Sequence, residues 1–310
     1  MFNKINSTTL LIILVVLVAL AALNKFYFSK RSDSTFNDTF VQIDSAKVTQ
    51  FLVYPLANGH KEIKITKQPK GWSLQIAQTK TTASEPIVHN LLEVFSNLKS
   101  IALAANDKTG WKQYQVDDST GSRIKILTSD NKTYDMIVGK FGFNPAARNG
   151  VSYIRRSGED AVYAVNGFLS FAVNKSFNDW RDRTIVSGNK DNWTKLSFSY
   201  PGDSSFVLSK QNNTWTVNNA PADSVKVTQY LNNLTSVQSN NFADAYTPAS
   251  APLYTLTIEG SSQSAPVSVT VYPADSTQKF MIHSSLNPDA WFSDGNTRTV
   301  ERIFVSPRSF

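Results

Sequence analysis

Alternating apolar and polar positions mark two similar stretches of this chain. Ile63, Ile65 and Lys67 precede Trp72 and Leu74; Phe206, Leu208 and Lys210 precede Trp215 and Val217, at a constant offset of 143. Each stretch predicts a strand, a polar turn (Gln68-Pro69-Lys70-Gly71, then Gln211-Asn212-Asn213-Thr214) and a return strand carrying the tryptophan. A helical period comes after both. Ser84 is placed to cap a helix with Val88, Leu91, Leu92, Phe95 and Leu98 on one face. Asp223 is placed to cap another with Val227, Tyr230, Leu231, Leu234 and Val237 at the same steps. Here the offset is 139, so the second strand-to-helix loop is four residues shorter.

Strands then resume. Arg123 to Thr128 and Thr133 to Val138 flank Ser129-Asp130-Asn131-Lys132, and Leu253 to Ile258 and Val267 to Tyr272 form a weaker echo around Glu259-Gly260-Ser261-Ser262. A further hairpin joins Ser152–Arg156 to Ala161–Val165, with Lys279–His283 and Ala290–Ser293 as its counterpart. The expected fold class is α+β: two tandem related modules, each a mainly antiparallel sheet with one packed helix, after an N-terminal transmembrane helix. The expected division is an anchor with flanks at 1–31, a polar linker at 32–40, a first module with its connector at 41–188, and a second module at 189–310. The connector, with Phe168 to Val173, Phe177, Trp180, Arg181 and Arg183, is expected to pack between the modules, its arginines pairing with carboxylates such as Asp179 and Asp182. Trp180, Arg181 and Arg183 are therefore the candidate interface residues, and the alternative is a ligand or partner contact.

The N-terminal stretch has a different pattern. Thr8 to Leu23 runs without a charge, and its Leu10, Leu14, Leu17, Leu20 and Leu23 continue into Phe26 and Tyr27 beside Lys25, Lys30 and Arg31. Counted to Phe28, it is long enough to cross a bilayer, with an aromatic belt at one interface. The predicted partner is the lipid bilayer. A cleaved signal ending near Ala19-Leu20-Ala21 is the alternative. A count of flanking lysines and arginines alone leaves the large C-terminal part in the cytoplasm.

Composition limits the chemistry. The chain has no cysteine, which excludes disulfides, zinc–thiolate sites and cysteine nucleophiles. Net charge is +7, unevenly spread: residues 1–190 hold 24 Lys and Arg against 15 acids, and residues 191–310 hold 7 against 9. The basic residues are scattered singly with no nucleic-acid signature, so they read as a solvated face, and no nucleic acid partner is expected. His60, His89 and His283 fall in different predicted elements without metal-ligand spacing. There is no Gly-x-Ser-x-Gly elbow, and the six glutamates are dispersed. Gly139-Lys140-Phe141-Gly142 lacks the further glycine and helix start of a phosphate cradle. No catalytic residue, metal or cofactor is expected.

Ile137-Val138-Gly139-Lys140, Tyr153-Ile154-Arg155, Val162-Tyr163-Ala164-Val165 and Trp180-Arg181-Asp182-Arg183, behind an N-terminal apolar segment and a Gly-Trp strand unit, resemble a bacterial domain-of-unknown-function family. Its members often sit beside gliding-type ABC transporter components. The resemblance implies an anchored protein facing away from the cytoplasm, with repeated α+β domains and no established enzymatic residues. Large domains translocate largely regardless of charge, so this orientation overrides the local count. The expected function is a membrane-anchored extracytoplasmic (periplasmic-side) accessory or interaction scaffold within a membrane protein complex, with an ABC-type transport complex as candidate. The rivals are ligand or glycan binding in the inter-module cleft, using Trp180, Arg181, Trp291 and Phe292, and a hydrolase of envelope polymers.

Overall fold

The computed structural model describes residues 39–144, 148–261, 264–274, 280–295 and 298–310. The anchor residues Leu10, Leu14, Leu17, Leu20, Leu23, Phe26 and Tyr27 lie outside them. Among the described residues no helix is long and apolar enough to cross a membrane.

The first part of the chain runs β1 (Thr39–Gln42), β2 (Val48–Tyr54), β3 (Ile63–Lys67), β4 (Trp72–Ile76), β5 (Thr79–Thr82), α1 (Glu85–Ser96), β6 (Asn97–Ala105), α2 (Trp111–Tyr114), β7 (Ser122–Thr128), β8 (Thr133–Asn144), β9 (Asn149–Arg156), β10 (Val162–Asn166) and α3 (Leu169–Val173). The second runs β11 (Thr184–Ser187), β12 (Trp193–Ser199), β13 (Phe206–Gln211), β14 (Thr214–Val217), β15 (Ala220–Pro221), α4 (Ser224–Leu234), β16 (Ser236–Gln238), β17 (Tyr254–Gly260), β18 (Val267–Pro273), β19 (Phe280–Ser284), β20 (Asn287–Ser293) and α5 (Thr299–Ile303). The architecture is α+β with antiparallel pairing throughout.

Strand order is the main result. The first sheet is β1-β6-β10-β9-β8-β7-β2-β3-β4-β5, and the second is β15-β14-β13-β12-β17-β18-β19-β20, with β11 and β16 forming a separate pair. Read from its β5 edge inward, the first sheet visits its strands in the same succession as the second from β15. The register agrees too: Lys67 faces Trp72 and Lys210 faces Trp215. The second hairpin turns on Asn212 and Asn213, both at positive φ, which is the conformation of a two-residue turn matched to strand twist.

Both helices begin where their cap residues predict. Asp223 accepts hydrogen bonds from the Val225 and Lys226 amides at 2.9 and 3.2 Å. Ser84 occupies the corresponding position without a side-chain cap bond. Val88, Leu91 and Phe95 of α1, and Val227, Tyr230, Leu231 and Leu234 of α4, are buried. Leu98 and Val237 correct the helical reading. Each is buried on a strand that starts directly after its helix, so the apolar spacing ran across a change of element.

Two main cores result, one between the first sheet and α1 with α3, the other between the second sheet and α4 with α5. Ile185 and Val186 on β11 already belong to the second core, ahead of residue 189, and Phe40, at the end of the polar stretch, is buried in the first. A smaller cluster of Val116, Ile137 and Val162, with Trp111, Tyr114 and Tyr153 against it, accompanies α2.

Candidate functional site

The connector joins the two sheets through backbone and side chain together. Residues Ser176 to Trp180 make a short turn in which Ser176 and Asp179 cap each other, their side chains 2.6 Å apart. The Ser176 hydroxyl bond, outweighing burial, holds the Asp179 carboxyl below the usual carboxylate range. The chain then passes extended alongside β5: Ala83 and Arg181 form an antiparallel bridge, Ser84 N donates to Trp180 O at 2.8 Å, and Asp182 N donates to Thr82 O at 3.0 Å. On its other side, Ser239 N donates to Arg183 O at 3.0 Å and the Asn287 amide donates to Asp182 O at 2.8 Å. The edge strands β5 and β20 approach each other here.

Arg181 is the centre of this joint. It is fully buried, and its guanidinium donates two bonds of 2.7 Å to the two carboxylate oxygens of Asp244. It also lies 3.6 Å from the centre of the Phe242 ring and donates to Asn178 Oδ1 at 3.3 Å. A planar fork matched to a carboxylate and stacked on an aromatic face is the arrangement in which arginine tolerates burial best. Arg183 pairs with Asp179 at 3.2 Å, as expected from the sequence. Arg181 does not pair with Asp182: that carboxylate accepts from the Thr184 amide and hydroxyl, and the true partner lies 63 residues on.

Beside the joint is a cleft of about 500 Å³ lined by Lys70, Gly71, Glu85, Asp182, Arg183, Thr184 and Gln238 among others. Trp180, Arg181, Trp291 and Phe292, the residues expected in an inter-module cleft, do not line it. Trp180, Arg181 and Phe292 are fully buried, and Trp291 is half-buried in a box of Tyr246, Tyr272 and His283 with ring centres 4.7–5.3 Å away. Arg183 does line it, and its Nε has no partner among the described residues.

A second convergence joins the motifs in the middle of the chain. Arg155, also buried, donates to Val116 O at 2.6 Å and to Asp118 at 3.0 Å, and lies 3.7 Å from the Trp111 ring centre. Gly139 is required beneath it, because a Cβ there would stand 2.1 Å from Tyr114 O. Lys140 reaches over Tyr114 and Tyr153 at 5.4 and 5.7 Å. Sequence reasoning missed the Trp111–Asp118 segment, whose only signal is a tryptophan in a polar stretch.

A small cavity of about 170 Å³ next to this region is lined by Tyr54, His60, Asp118 and Arg123. Burial, then the hydrogen bond to Glu62, pushes the Tyr54 hydroxyl up to about 12. His60 contacts Ser119 O at 3.2 Å, His283 contacts Pro288 O at 3.1 Å, and His89 is exposed on α1. Among the described residues no three His, Asp or Glu side chains are grouped to hold a metal ion.

No curated protein and no solved structure matches the chain. A family model does: it spans residues 76–257, well over half the chain, and takes in α1, the Gly139 and Arg155 motifs, the connector and Asp244. The chain belongs to the family described as Domain of unknown function (DUF4340).

Proposed function

We propose that this protein is a membrane-anchored, extracytoplasmic accessory protein: a scaffold of two tandem, related modules, tethered by its N-terminal apolar segment and serving a membrane complex. An ABC-type transport complex is the candidate partner. The observation that carries the reading is the shared strand order of the two sheets, reinforced by the 143-residue offset and by matched tryptophan registers. Duplication of one module explains all three at once. The pairing of the buried Arg181 with Asp244 then locks the copies together, which suits a body that presents surface to partners. The proposal includes no catalytic step.

Crosslinking in intact cells, with identification of the attached proteins, tests it. Recurrent capture of membrane transport components is expected, and repeated recovery of the protein alone after mild solubilisation argues against a scaffold. A reporter at Phe310 that reads cytoplasmic overturns the orientation.

A second reading has one observation in its favour. The cleft between the sheets is lined by the charged side chains of Lys70, Arg183 and Glu85, a setting for a small polar ligand. A ligand held there raises the melting temperature. An unchanged melting temperature across a panel of glycans and small anions removes this reading.

A further inference from the structure

We infer that an aromatic patch on the first sheet seats directly on the lipid bilayer to which the apolar segment tethers the chain. Phe143, Phe168 and Phe171 are 61%, 58% and 60% exposed, unusual values for so large an apolar side chain. They are grouped. Phe141 stacks on Phe168 with ring centres 5.1 Å apart and meets Phe171 at 5.5 Å, and Phe143 comes two residues further along β8 on the same side. Leu169, Ala172 and Val173 bury the opposite side of α3 in the core, so the outward rings sit on a fixed support.

The position of the patch favours lipid as the occupant. Thr39 faces Lys99, Ser100 faces Val165, Asn166 faces Val151, and Val151 faces Gly142. These pairs form one row across β1, β6, β10, β9 and β8. Four strand spacings separate the point where β1 begins from Gly142, between Phe141 and Phe143, a distance of about 19 Å. The uncharged run ends at Leu23, and the intervening chain reaches at most about 55 Å when extended. The patch is therefore held within reach of whatever surface the run enters.

Charge points the same way. From Met136 to Gly158 the chain carries Lys140, Arg148, Arg155 and Arg156 and no acid. Arg148, exposed in the turn between β8 and β9 that follows Phe143, has no carboxylate partner among the described residues, which leaves a cation for anionic headgroups. Exposed phenylalanines with a cation in the adjoining turn fit the interfacial layer, about 5–10 Å into the headgroup and acyl boundary. This inference rests on the tethered reading above.

The absence of native cysteine makes the test direct. Full-length protein carrying Ser170→Cys, or Val225→Cys at an exposed position of α4 as the control, is labelled with an environment-sensitive fluorophore. It is then reconstituted into phosphatidylcholine vesicles containing phosphatidylglycerol and spin-labelled lipid. The expected result is quenching at position 170 at least about threefold stronger than at 225, given the interfacial depth. Adding Phe143→Ser and Phe171→Ser should abolish the difference with the melting temperature preserved. Flotation with the vesicles but equal quenching at 170 and 225 overturns the patch and leaves the tether standing. A blue-shifted but unquenched label at 170 also overturns it, because protein then covers the rings. Quenching at 170 with release by alkaline carbonate upholds the patch and overturns the inserted tether. Failure to float overturns both.

Discussion

The two halves of this molecule share a strand order and differ in the strand that succeeds each long helix. In the first half, β6 runs for nine residues and closes onto β10, so that β1 joins one ten-stranded sheet. In the second half, β16 stops after three residues and pairs with β11. The chain then crosses to β20 through isolated contacts: Phe242 bridges Phe292, and Ala243 N donates to Trp291 O at 2.8 Å. Breaking the strand places Phe242 and Asp244 against Arg181. The same topology therefore serves two ends: an extended edge in the first half, and in the second a segment that grips the connector.

Matched core positions test that equivalence most severely. Ile65 faces Leu74 and Leu208 faces Val217, and both Ile65 and Leu208 are fully buried. Ile65→Ala and Leu208→Ala should each cost about 2–5 kcal/mol and agree to within about 1–2 kcal/mol. Chemical denaturation followed by tryptophan fluorescence measures both. Costs that differ by most of that range would break the structural equivalence of the halves.

The joint comes next. Asp244→Ala strands a buried guanidinium and should cost about 3 kcal/mol, at the low end for a broken buried pair because Asp244 is 42% exposed. Arg181→Met, which removes the charge and keeps much of the volume, should cost less than Asp244→Ala. Unfolding of the Asp244→Ala protein should separate into two transitions, one for each half. A single transition with an unchanged midpoint would show that the pair does not couple them.

Two smaller effects belong to the first half alone. The second half has no helix between β16 and β17, whereas the first places α2 against Gly139. Gly139→Ala forces the backbone of Tyr114 away and should cost about 1–3 kcal/mol by overpacking, measurable as a lowered melting temperature. Asp117 supplies a pH effect. Burial raises its pKa, but hydrogen bonds from Ser119 and Thr120 outweigh this and bring it to about 2. A carboxyl depressed on folding stabilises above its unfolded pKa of about 4, and that contribution disappears as pH falls toward 2. Asp117→Asn should therefore flatten the loss of melting temperature between pH 4 and about 2. An equally steep loss in the variant would place the acid sensitivity elsewhere.

How much of the molecule is legible in its sequence varies with the range of the interaction. The hairpins at Trp72 and Trp215 are visible because alternation and turn chemistry are local, and the helices show through their caps and their period. The central strands β2 and β12 escape sequence reasoning, although each joins the two hairpins of its sheet. Pairing on both sides is a nonlocal property that no neighbouring residues announce. Arg183 finds the carboxylate four positions away that the sequence suggests, and Arg181 finds one that only folding brings near.

The sequence by itself determined the α+β character of the chain, its repeated hairpin and helix, its lack of thiol chemistry and its uncharged N-terminal run, because period, capping and composition are written in consecutive residues. Tertiary structure decided the rest. It brought Asp244 to Arg181 in the joint between two sheets, hid Phe292, and gathered Phe141 and Phe143 of β8 with Phe168 and Phe171 at α3 into one patch. The physical reason is that burial and proximity depend on the packing of distant segments, and a side chain's chemistry becomes a role only when those segments meet.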